Sequence, residues 1–332
     1  MQRVRDAIPG GFEEWYADGQ ALVVATPRRP GVPLVVLAGH VDTVPAQENF
    51  PGHIADGKVI GLGASDMKGG VAVMLEIADW IAREHPERLV DLALVIFTRE
   101  ELPVSESPLP AAFAACPQLL DTALAVVMEP TDNTIQAGCL GNLNATLRFR
   151  GTSAHSARPW TGDNAINRAV AGLASLVNVA PRVVEIDDLT FTEVLSITRI
   201  NGGIADNVIP DLVECHINFR FTPDRTPAQA REVVRDLVGG VGELEVSSVS
   251  PSGSVAPRTA LLERLIASGG FAVAPKQAWT PVAQFSEVGI DAVNLGPGAT
   301  AMAHTRDERI AIDELVRAYA ALETFVRADR AT

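Results

Sequence analysis

Three short apolar runs punctuate the first half of the chain. Leu34-Val35-Val36-Leu37-Ala38 ends in Gly39, Leu92 to Thr98 reads LALVIFT, and Ala123 to Met128 reads ALAVVM. Runs of this length without alternation predict strands buried on both faces, as in a parallel sheet. Between the first two, Gly70 to Glu84 places Val73, Ile77, Trp80 and Ile81 on one face at helical spacing. Strands alternating with helices predict an α/β fold around a mostly parallel sheet.

The middle of the chain changes period. Leu143, Ala145, Leu147 and Phe149 alternate with polar residues, which predicts a half-exposed strand. Asp163 to Val179 reads as a helix, Glu193 to Ile200 and Leu212 to Phe221 as strands, and Pro227 to Val238 as a second helix. A β-α-β-β-α-β order predicts a small antiparallel sheet with helices on one face, an α+β, ferredoxin-like arrangement. After Pro251-Ser252-Gly253 the α/β character returns. The pattern therefore gives one domain, residues 1–140 and 254–332, interrupted by an inserted domain at 141–253. Neither an internal repeat nor a low-complexity segment is present.

Composition narrows the function classes. The 332 residues exceed one typical domain, and 47% are apolar, enough for a large core. No run of about 18 apolar residues occurs, so no membrane-spanning helix is expected. Met1 to Gly10 carries two arginines but no apolar stretch, which reads against a signal peptide. The net charge of -14 reads against nucleic acid as a partner, because phosphate binding needs a basic face. Cys116, Cys139 and Cys215 are odd in number and widely spaced. They predict neither a disulfide framework nor a cysteine zinc site, and a cytoplasmic location fits them best.

The candidate chemistry gathers where the predicted strands end. His40 and Asp42 follow the first run, Glu100 and Glu101 the second, and Glu129 the third. In open α/β sheets, ligands bind beyond the carboxyl ends of the strands. Asp66 lies in the Gly-rich turn Gly61-Leu62-Gly63-Ala64-Ser65-Asp66, and His304 in a late loop. Singly, each has an ordinary reading. A histidine after a strand is usually a polar loop residue, adjacent glutamates a solvated pair, and Asp66 a helix cap. Jointly, imidazoles and carboxylates delivered to one rim suit zinc.

These stretches resemble the M20 metallopeptidase family, and within it the succinyl-diaminopimelate desuccinylases. The matching segments are Gly39-His40-Val41-Asp42-Thr43-Val44-Pro45, Gly63-Ala64-Ser65-Asp66-Met67-Lys68-Gly69-Gly70, Glu100-Glu101 and Met128-Glu129-Pro130-Thr131. Further along come Gly151-Thr152-Ser153-Ala154-His155-Ser156, Asn207-Val208-Ile209-Pro210, Asn218-Phe219-Arg220-Phe221, Asn294-Leu295-Gly296-Pro297-Gly298, and His304 before Asp307-Glu308. The resemblance implies two zinc ions per chain, with cobalt able to substitute. His40 and Glu129 would hold one ion, Glu101 and His304 the other, and Asp66 would bridge them. Asp42 would hydrogen-bond His40 and fix its tautomer. Glu100 would be the general base. His155, supplied by the inserted domain of a partner subunit, would stabilise the oxyanion. Arg220 would grip a substrate carboxylate, a bidentate task suited to guanidinium, and Asn207 would help position substrate. The implied partners are a small N-acyl amino acid and a second copy of the chain in a homodimer.

The sequence also departs from the family pattern. About twenty residues precede the first strand, where many relatives carry an extra helix. Gly61-Leu62-Gly63 stands where Gly-Arg-Gly is usual, and Leu102-Pro103-Val104 follows the glutamate pair. Gly138-Cys139-Leu140-Gly141 lacks basic residues that some desuccinylases carry, and Thr280-Pro281-Val282-Ala283-Gln284-Phe285 lacks a frequent Asp or Arg. The implied reaction is hydrolysis of N-succinyl-L,L-2,6-diaminopimelate. Alternatives are an acetylornithine deacetylase, another N-acyl amino acid hydrolase, a carboxypeptidase, and a non-catalytic binding protein of the same fold.

Overall fold

The structure is a computed structural model that describes residues 1–328. The chain forms two compact units. One comprises Met1–Gly138, Ser254–Pro275 and the chain from Gln284 onward, and the other comprises Cys139–Gly253 with Lys276–Ala283. The boundaries read from the sequence leave Lys276–Ala283 with the flanking domain. Backbone pairing, which no hydrophobic pattern encodes, ties this segment to the inserted unit: the Leu140 N–H donates to the Ala278 carbonyl at 3.1 Å.

The first unit is built on a mixed eight-stranded sheet. Its order is Glu13–Ala17, Ala21–Ala25, Asp91–Phe97, Leu34–His40, Thr122–Val127, Ala292–Asn294, Ile135–Ala137 and Val273–Pro275. Leu34–His40 runs parallel to both neighbours, and Ala292–Asn294 runs parallel to Thr122–Val127. Four parallel carboxyl ends therefore share one rim. Leu34–His40 and Asp91–Phe97 are buried at every position, which explains their continuous apolar character. The first strand extends beyond the apolar run because its pairing continues until His40 faces Phe97. His40 is thus the last strand residue and not the first residue of a loop. The helix Gly69–Glu84 buries Val73, Ile77, Trp80 and Ile81 as their spacing requires.

Asp91, at the start of a central strand, is fully buried. It accepts from the Arg29 backbone N–H and Nε, both at 2.7 Å, and from Arg28 Nη1 at 3.0 Å. Hydrogen bonds to a charged group contribute more than neutral ones. Asp91→Ala should therefore lower unfolding free energy by about 2–3 kcal/mol in a denaturant titration.

The second unit carries a five-stranded antiparallel sheet in the order Arg182–Ile186, Leu189–Gly202, Leu212–Phe221, Gly141–Arg150 and Glu243–Ser250. The last four strands and the helices Ala165–Leu176 and Pro227–Val238 follow the β-α-β-β-α-β order. Leu143, Ala145, Leu147, Phe149, Val213, Ile217 and Phe219 share a core with Ala169, Leu173, Ala230 and Val234 of the two helices. Arg182–Ile186 is an addition that the sequence pattern does not reveal. It is a half-exposed hairpin partner of Leu189–Gly202, with a weak alternation of its own. Among the described residues, no helix is long and apolar enough to cross a membrane.

Candidate metal centre

His40 closes its strand with a side chain only 1% exposed, and its two ring nitrogens face different neighbours. Nδ1 lies 3.1 Å from the Asp42 carbonyl and 3.5 Å from Asp42 Oδ1. Donation from Nδ1 would leave the Nε2 lone pair turned to the acids. Nε2 stands 3.3 Å from Asp66 Oδ1, and 3.9 Å from both Glu100 Oε2 and Glu129 Oε1. Burial pulls the His40 pKa down, but Asp42, Asp66, Glu129 and Glu100 outweigh it and hold it well above the ordinary value.

The other residues arrive from neighbouring elements. Glu100 and Glu101 follow the strand Asp91–Phe97. Their backbone N–H groups donate to Asp42 Oδ1 at 3.3 Å and Oδ2 at 3.2 Å. Asp42 thus holds the glutamate turn as well as facing His40, a second task that the motif does not reveal. Glu129 follows Thr122–Val127. His304, with a left-handed φ of 59°, places Nε2 3.0 Å from Glu101 Oε1 and 3.4 Å from Asp66 Oδ2.

Asp66 is central to this geometry, since each of its oxygens faces a different histidine. Its loop leaves Gly63 with φ 77°, where a Cβ would come within 2.7 Å of Thr43. At Gly70 a Cβ would come within 2.3 Å of the Met128 carbonyl, so glycine lets the helix start close to the Glu129 segment. The buried Glu308 fixes the loop. Its carboxylate accepts backbone N–H groups from Gly63 at 2.8 Å, Ser65 at 3.0 Å and Asp66 at 2.9 Å. In the sequence Glu308 stands out only as part of a motif. Its acidity just after His304 was the available signal, but the atoms it binds lie over 240 positions away.

The cluster has the dimensions of a metal site. One ligand atom from each of His40, Asp66 and Glu101 lies within 4.8 Å of the other two. Donors ~2.0–2.1 Å from a tetrahedral zinc would lie ~3.3 Å apart. The histidine-to-acid separations of 3.3, 3.4 and 3.0 Å fall near that value. Among the described residues, the buried Asp66 Oδ1 accepts no hydrogen bond, as befits an oxygen meant for a cation. Among the described residues, the Glu100 carboxylate makes no pairing closer than its 3.9 Å approach to His40. Burial, then the charge of Glu129, pushes its pKa up to about 8. Burial and Asp66 also raise Glu101.

A model of Peptidase family M20/M25/M40 matches residues 36–328. The chain belongs to this family. A Corynebacterium glutamicum succinyl-diaminopimelate desuccinylase is 36% identical to this M20 chain over 309 residues, covering 92% of the chain and 84% of the relative. A Mycobacterium tuberculosis protein named as a candidate enzyme of that kind is 39% identical over 294 residues, covering 88% and 82%. The M20 family metallo-carboxypeptidase Sso-CP2 of Sulfolobus solfataricus shares the fold, with a TM-score of 0.80 at 17% identity over 98% of this chain and 91% of that one.

The remaining motif residues of the M20 chain lie in the second unit. His155 pairs with Val208 in a two-stranded ribbon, Ala154–His155 against Val208–Ile209. The Ala157 N–H donates to His155 Nδ1 at 3.0 Å, so the neutral ring carries its proton on Nε2. Asn207 is exposed beside that ribbon, and its carbonyl accepts the Ser156 N–H at 2.9 Å. Arg220 sits apart, on the main sheet within Leu212–Phe221. The seven motif residues of the first unit thus meet in one cluster, His155 and Asn207 share a ribbon, and Arg220 stands on a separate strand.

Proposed function

We propose that this chain is a metal-dependent amidohydrolase that converts N-succinyl-L,L-2,6-diaminopimelate and water to succinate and L,L-2,6-diaminopimelate. The observation that carries the hydrolytic reading is the division of Asp66 between two histidine-and-acid sets. The substrate reading is supported by the named relatives at 36–39% identity. The reaction belongs to diaminopimelate and lysine biosynthesis, in the cytoplasm. His40, Glu129 and Asp66 would hold one zinc ion, and Glu101, His304 and Asp66 a second, with cobalt able to replace either.

Bound ions would supply Lewis-acid polarisation of the amide carbonyl and a more acidic water. Glu100 takes the proton from the attacking water and passes it to the departing amine nitrogen. Bound cations would lower its high pKa, because nearby positive charge favours the carboxylate. His155 donates from Nε2 to the developing oxyanion. Arg220 holds a substrate carboxylate and Asn207 orients the chain of the substrate.

A homodimer completes the proposal. Ile166 and Val170 of one helix and Ile200 of the strand Leu189–Gly202 are 42%, 67% and 55% exposed. They line one groove of about 220 Å³. Beyond the hairpin, residues 194–202 of that strand are paired on one side by Leu212–Phe221. An apolar groove beside such an edge suits a second copy.

The test is a panel. Zinc-loaded protein should hold two ions per chain by elemental analysis and lose activity on chelation. It should hydrolyse N-succinyl-L,L-diaminopimelate faster than N-acetylornithine. A preference for the acetyl substrate would move the assignment to another M20 deacylase, and a single ion at saturation would overturn the two-set reading.

A further inference from the structure

Alternate residues of the sheet in the second unit face away from its helices, and their charges are unevenly distributed. Toward one end the cations are paired. Arg148 Nε donates to its cross-strand neighbour Glu214 at 2.6 Å and Nη1 reaches Glu245, while Arg150 Nε meets Glu243 at 2.8 Å. Arg220 occupies the other end. Its cross-strand neighbours are Asn142 and Val194, and no carboxylate among the described residues lies within ion-pairing distance. The guanidinium is half-buried, and burial lowers its pKa.

What Arg220 has instead is an amide chain of fixed polarity. Its Nε donates to Asn218 Oδ1 at 3.0 Å. Asn218 Nδ2 then donates to Asn142 Oδ1 at 2.7 Å and Asn144 Oδ1 at 2.9 Å. Asn144 Nδ2 in turn donates to Ser248 Oγ at 3.1 Å. An arginine Nε can only donate, so the Asn218 oxygen must face it. That choice turns the Asn218 nitrogen to the next two amides and sets their orientation. With Nε occupied, the terminal Nη pair remains for an incoming anion.

We infer that Asn218, braced by Asn142 and Asn144, is a positioning residue that holds the Arg220 guanidinium in a fixed direction without neutralising it. This rests on the proposed reading of Arg220 as the carboxylate grip. An acid at position 218 would hold the same nitrogen but cancel the charge, as Glu214 and Glu243 do for their arginines. The amide supplies orientation and leaves the full charge for the substrate, whose carboxylate is then taken end-on by two parallel hydrogen bonds.

A double-mutant cycle on the zinc-loaded enzyme tests this. Asn218→Ala should raise KM for the succinyl substrate about tenfold, the loss expected for one hydrogen bond to a charged group, with kcat nearly unchanged. Asn218→Asp, of the same size, should raise KM at least as much; it also loses both donations to Asn142 and Asn144, so KM is read below its lowered melting temperature. In an Arg220→Ala background, Asn218→Ala should add nothing. If Arg220→Ala itself leaves KM unchanged, the carboxylate grip is wrong and the inference falls with it. If Arg220→Ala raises KM but Asn218→Ala raises it further by the same factor, the grip stands and the positioning role is refuted. An unaltered KM in Asn218→Asp refutes it as well.

Discussion

Glu100→Gln should retain both metal ions and lose at least about a hundredfold in turnover, the usual cost of removing a general acid–base group. The two adjacent glutamates have different surroundings. Glu101 faces His304 at 3.0 Å, a ligand-to-ligand separation, whereas Glu100 stands 3.9 Å from His40, as Glu129 also does; the distance separates Glu100 from Glu101 but not from Glu129. Glutamine keeps the size of Glu100 but cannot take a proton from water. Glu101→Gln should behave differently and weaken the binding of one ion, because it removes a charged ligand. Metal content after dialysis and steady-state rates separate the two variants. Loss of metal in Glu100→Gln with full retention in Glu101→Gln would mean that the roles are reversed.

His155→Ala should lower turnover by about a hundredfold or more, the range for loss of an oxyanion donor, with both ions still bound. The ring is prepared for donation, since Ala157 occupies Nδ1 and leaves the proton on Nε2. The proposed dimer adds a further consequence. Inactive His155→Ala chains mixed with inactive Glu100→Gln chains should regain part of the activity, because a heterodimer holds one site with an intact base and an intact partner histidine. Subunit exchange can be followed by mass spectrometry. Verified exchange without any recovery would refute action across subunits.

The strands and helices were most legible where burial is uniform or strictly alternating. Leu212–Phe221 alternates between buried and half-buried at every step, and its bounds agree with the pattern. Pro227–Val238 is equally clear, since Thr226 and Gln229 form a reciprocal cap and Gly239 closes the helix in a left-handed conformation. The short strands His53–Ala55, Lys58–Ile60 and Arg309–Ala311 were not legible, since three residues carry no period. In the site, the residues that touch the cluster were legible as types at strand ends, in a Gly-rich turn and in a late loop. The supports were not: Glu308 binds backbone N–H groups, and Asn218 acts on Arg220 through a side-chain network. Neither kind of partner leaves a mark in local sequence.

The Glu308 carboxylate has a consequence for the order in which the protein matures. A ribosome delivers His40, Asp66, Glu101 and Glu129 first, then more than a hundred residues of the inserted unit, and only afterwards Ala292–Asn294 and Glu308. Until those late segments arrive, Thr122–Val127 has no parallel neighbour on that side and the Asp66 loop has no acceptor for its N–H groups. Four of the five proposed ligands are therefore synthesised long before the geometry that makes them useful. On the proposed assignment, the full ligand set and the brace of the Asp66 loop come together only after the inserted unit has been made.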